Sequence, residues 1–68
     1  MAGREGLERY EAGLKALRPA DREAIIARLE LQQSYEEVAI ALGKPTADAA
    51  RMAVKRAVKA LMLAMAQP

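Results

Sequence analysis

Lys44, Arg51, Lys55, Arg56 and Lys59 crowd the last third of the chain, and Asp48 is the one acid among them. Ammonium and guanidinium groups at this density suit a polyanion. An arginine can bond O6 and N7 of guanine together, which makes Arg51 and Arg56 the candidates for reading bases. Lys44 and Lys59 suit phosphates, contacts that position a protein without reading sequence. Glu30, Glu36 and Glu37 could suggest acid–base chemistry. No histidine, cysteine or glycine-rich phosphate loop joins them, and capping or solvation accounts for the carboxylates. No catalytic residue, metal site or cofactor is therefore expected.

The charge is unevenly placed. Residues 1–43 carry six basic and eight acidic side chains, a balance of −2, whereas residues 44–68 carry +4. Any polyanion-binding surface should lie in that last segment.

Those cations need elements to carry them. Val and Ile are few and no strand-like alternation appears, so the expected class is all-α: a compact bundle of four helices containing a helix-turn-helix. Met1 to Gly6 holds two glycines and is expected to fray. Leu7, Tyr10, Leu14 and Leu17 form one apolar stripe and predict a first helix over 7–17. Pro19 ends it and suits the first turn of a second helix over 20–31, with Ile25, Ile26 and Leu29 as its apolar contacts.

Ser34 and Glu37 have capping-box spacing and open a third helix over 35–42. Gly43 suits the left-handed residue that closes a helix. Pro45 prevents continuation, and Thr46 can cap a fourth helix over 47–65. At 100° per residue, Ala50, Val54, Ala57, Leu61 and Met65 share one side of that helix. Arg51, Lys55 and Lys59 lie opposite, with Arg56 at the border. Two helices joined by a glycine turn, the second amphipathic and basic, make a helix-turn-helix pattern. The Thr46 end could also offer backbone N–H groups to a phosphate.

At 68 residues the chain is expected to form a single domain over its whole length. With no Cys and no His, neither disulfides nor a Cys/His zinc site can hold it, so helix packing must. No apolar run approaches the ~20 residues of a membrane span, and no apolar signal segment opens the chain. A cytoplasmic location and no membrane partner are expected.

Asp21-Arg22-Glu23-Ala24-Ile25-Ile26, Ser34-Tyr35-Glu36-Glu37-Val38-Ala39 and Ala41-Leu42-Gly43 resemble region 4 of the extracytoplasmic-function sigma factors of bacterial RNA polymerase. Lys44 to Val54 resembles a variant of that family's entry into the recognition helix. The resemblance covers residues 7–63. It implies a four-helix domain that reads the −35 element of promoter DNA with its fourth helix. It also implies binding to the β flap of RNA polymerase and, in many members, restraint by an anti-sigma factor. Carried over by position, Arg51, Met52, Lys55 and Arg56 face the bases, while Tyr35 and Lys59 lie near the backbone. Nothing resembling the −10-binding domain accompanies it, so this chain alone is not expected to start transcription.

The chain departs from the family pattern at several points. Its turn, Gly43-Lys44-Pro45-Thr46-Ala47, is one residue longer than the commoner form. Met52 and Ala53 stand where polar or basic residues are common, Gln32 where glycine is common, and Ile40 where a charge is common. Ile40, Met62 and Leu63 fall off the apolar faces of their helices. Isolated exposed apolar residues are normal. Together, however, they admit an alternative: a module of the same fold that contacts a protein through them, whether polymerase, an anti-sigma factor or a second copy.

Overall fold

A computed structural model describes residues 2–67. Four helices follow one another: α1 (Ala2–Ala16), α2 (Pro19–Ile25, continued by a π-helical turn over Ile26–Glu30), α3 (Tyr35–Leu42) and α4 (Ala47–Ala66). The fold is the all-α four-helix bundle that the sequence predicts. The longest helix, α4, packs against α1, α2 and α3, and so forms the spine of the bundle.

Local chemistry sets the helix ends. Ser34 Oγ accepts from the N–H of Glu37 at 3.1 Å, and Glu37 Oε1 accepts from the N–H of Ser34 at 2.8 Å, closing the capping box. Gly43 takes φ 68°, the left-handed region that glycine enters at no steric cost. Thr46 Oγ1 accepts from the N–H of Ala49 at 3.0 Å and starts α4. Pro19 stands at the start of α2.

The core consists of Leu17, Ala24, Ile25, Ala27, Val38, Ala39, Ala50, Val54, Ala57 and Leu61. Six of these ten lie on α3 or α4, the pair that forms the helix-turn-helix. Half the core is alanine, which lets helix axes approach closely but buries little area per residue.

Three expectations need correction. First, α1 starts earlier than the predicted residue 7: it begins at Ala2 and runs through Gly3 and Gly6. (Met1 lies outside the described residues.) Propagating a nucleated helix costs far less than starting one, and the Arg4–Glu8 and Glu5–Arg9 pairs, each at 3.6 Å, support this turn. Second, Leu7 is 57% exposed. Gly13 already sits against Met65 near the end of α4, so residues two turns earlier have no α4 beneath them. Third, Leu29 is 50% exposed. Leu29 lies within the π-helical turn, where the backbone departs from the α-helical period used to place it, and Ala27 is the buried residue of that turn.

Arg22 ties α1 to α2. Its Nε donates to the carbonyl of Leu14 at 2.9 Å, and its Nη2 donates to those of Leu17 at 2.9 Å and Lys15 at 3.3 Å. Helix C-termini leave carbonyls short of partners; Leu14 O also accepts from the N–H of Leu17 at 3.1 Å, so Arg22 is its second donor. A second tie runs from Tyr10 Oη, which donates to Glu30 Oε2 at 2.7 Å. Tyr10 is partly buried, and that burial, reinforced by the Glu30 carboxylate, pushes its phenol up to about 12.

Candidate nucleic-acid interface

The buried stripe of α4 fixes where its cations point. Because Ala50, Val54, Ala57 and Leu61 face the core, Arg51, Met52, Lys55, Arg56 and Lys59 are all exposed on the outer surface. At 100° per residue they span about 140° of the helix circumference. A major groove is wide enough to admit an α-helix.

The arc has two flanks. On one, Arg51 and Lys55 line an open groove of about 550 Å³ with Arg28 and Leu29 from the end of α2, Tyr35 from the start of α3, and Val54 and Val58. On the other, Arg56 lines a smaller recess of about 160 Å³ with Lys44 from the turn and Arg18, Asp21 and Glu23 from the start of α2. Met52 and Lys59 lie on the crest between. The fold thus brings Tyr35 to Arg51 and Lys55, and Lys44 to Arg56. It does not bring Arg51 and Arg56 to one point.

Arg28 is a member of this surface that periodicity and charge counting along the chain do not reveal. Its guanidinium carbon stacks 4.1 Å from the centroid of the Tyr35 ring, and its Nη1 donates to the carbonyl of Gln33 at 2.7 Å. Stacking and the carbonyl bond hold it in place without neutralising it. The signal that could have found it is the spacing of Arg28 and Tyr35 across the loop before the capping box.

The cations differ in how they are held. Arg51 Nε and Nη2 both donate to Asp48 Oδ1, at 3.2 and 2.9 Å. Lys44, Lys55, Arg56 and Lys59 form no ion pair among the described residues. A polyanion can therefore bind them without displacing an internal partner. At the head of α4 the Thr46 side chain is committed to its cap. That leaves the N–H groups of Ala47 and Asp48 for solvent or an anion, beside the Asp48 carboxylate.

The candidate protein-contact residues are all exposed: Ile40 at 83%, Met62 at 65% and Leu63 at 61%. Leu63 borders a shallow depression with Ala60, Ala64 and Leu17 beside the end of α1, whereas Ile40 sits on α3. Among the described residues, no group of three His, Cys, Asp or Glu could hold a metal ion, and no helix is long and apolar enough to cross a membrane. Compared with known protein families, with curated proteins and with solved structures, the chain matches none of them.

Proposed function

We propose that this chain is a double-stranded DNA-binding domain of the promoter-reading kind, which lays α4 in the major groove. The observation that carries this reading is the outer face of α4. Lys55, Arg56 and Lys59 stand there exposed and unpaired among the described residues, on a helix set by a capped short helix and a left-handed glycine turn. Arg51 and Arg56 are the base-reading residues. Lys44, Lys55, Lys59, Arg28 and Tyr35 contact the backbone on either side, and Thr46 caps the helix that carries them. Met52 sits on the crest, where it can meet a thymine methyl but cannot accept or donate a strong hydrogen bond. The resemblance to sigma region 4 adds the −35 element as the target, the β flap of RNA polymerase and an anti-sigma factor as protein partners, and a cytoplasmic location.

Fluorescence anisotropy with short duplexes tests the reading. Binding should weaken steeply with salt, because each phosphate contact releases a counterion. Replacing Arg56 by Ala should cost about 1–3 kcal/mol on a preferred duplex. No binding at low salt, with Arg51→Ala and Arg56→Ala equally silent, would sink it.

The groove floor favours a second reading, a protein-interaction module without DNA readout. Leu29, Tyr35, Val54 and Val58 give the larger groove an apolar base, and Ile40, Met62 and Leu63 add exposed apolar area elsewhere. Recovery of polymerase or an anti-sigma factor by a DNA-free chain, unaffected by Arg56→Ala, would favour it over the first.

A further inference from the structure

The geometry points to Asp48 as a positioning residue that decides what Arg51 recognises; this rests on the DNA-binding reading above. A guanidinium has five N–H groups in a rigid plane, arranged along two usable edges. Asp48 Oδ1 occupies one of them, accepting from Nε at 3.2 Å and from Nη2 at 2.9 Å. The far edge, with Nη1 and the second Nη2 hydrogen, has no partner among the described residues, and the side chain is half exposed. Two parallel N–H groups on that edge match O6 and N7 of guanine.

The carboxylate also has a cost in the same setting. Asp48 is the single acid between residues 44 and 68, and its side chain is 75% exposed. It therefore stands on a surface that must approach phosphates. An exposed pair of this kind adds little to folding, so its consequence lies in binding. Freed from Asp48, Arg51 can turn to the nearest phosphate, a contact that holds DNA without reading it. Asp48 thus lowers affinity for DNA in general and reserves Arg51 for one base.

The experiment compares the full chain with Asp48→Ala, Arg51→Ala and the double variant, each checked for helicity by circular dichroism. Two probes are used: a fixed duplex of about 20 base pairs and mixed sequence, long enough for two turns of major groove, and a pool of duplexes randomised at the centre. Asp48→Ala should bind the fixed duplex about two- to tenfold tighter, with a log–log salt slope steeper by about one. Sequences it selects from the pool should lose a guanine preference of about tenfold at one position. In the Arg51→Ala background the same substitution should leave the selected sequences unchanged. Selection that is unaltered by Asp48→Ala, or altered equally in both backgrounds, overturns the assignment while leaving DNA binding intact. If the parent chain binds neither probe, the DNA reading itself fails and this assignment fails with it.

Discussion

Gly13 of α1 lies directly against Met65 of α4: a Cβ built on Gly13 would stand 2.9 Å from Met65 Cγ and 3.0 Å from Leu61 Cδ1. The glycine sits where the last turns of α4 pack against α1. Two effects compete when it is replaced. Alanine raises helix propensity by about 1 kcal/mol, whereas overpacking costs about 1–3 kcal/mol. Gly13→Ala should therefore lower stability by up to about 2 kcal/mol in urea melts. In a Met65→Ala background the closer of the two contacts is gone and only Leu61 Cδ1 remains, so the same change should cost less.

Arg22 donates to three carbonyls at and just past the end of α1, those of Leu14, Lys15 and Leu17. Charged hydrogen bonds contribute about 1.5–3 kcal/mol each at most, and the three share one side chain. Arg22→Ala should destabilise by about 2–3 kcal/mol. Arg22→Lys should recover little of it, because an ammonium cannot reach several carbonyls in one plane. Thermal denaturation of the two variants side by side checks this.

Gln32 adopts φ 54°, the only non-glycine residue described with a left-handed backbone. That region costs an ordinary residue about 1–2 kcal/mol, and glycine's greater freedom when unfolded returns part of the difference. Gln32→Gly should raise stability by about 0.5–1 kcal/mol. An unchanged or lowered midpoint would show that the exposed side chain contributes more than its backbone strain costs.

The Tyr10 phenol is raised from 10.0 to about 12 by burial and by the neighbouring Glu30. Its folded-state value exceeds its unfolded one, so the folded chain holds this proton more tightly. The contribution to stability is complete below pH 10 and is lost as pH rises toward 12. Tyr10→Phe should remove that part of the alkaline decline. Parallel unfolding curves at increasing pH measure it as the difference in slope.

On the DNA-binding reading, Lys55 and Lys59 contact phosphate. Replacing either by alanine should weaken all duplexes to a similar degree and reduce the salt slope by about one. A change in sequence preference instead would mean that the lysine reads a base. Titrations at several salt concentrations separate the two.

Much of this molecule can be read along the chain because its signals are local. Ser34 with Glu37, Gly43, and Thr46 before α4 each act within four residues, and the helical period places Ala50, Val54, Ala57 and Leu61 on one buried face. The same period leaves Arg51, Lys55, Arg56 and Lys59 facing outward, so the cationic surface is legible before any packing is known. The tertiary structure decides what depends on a second element. It exposes Leu7, because α4 ends near Gly13, and it exposes Leu29, which lies in a π-helical turn that departs from the α-helical period. It brings Arg28 over Tyr35, into the groove that Arg51 and Lys55 line, and it sets Arg22 against three carbonyls at and just past the end of α1. Periodicity assigns a residue to a face of its own helix. Only packing decides whether another helix covers that face.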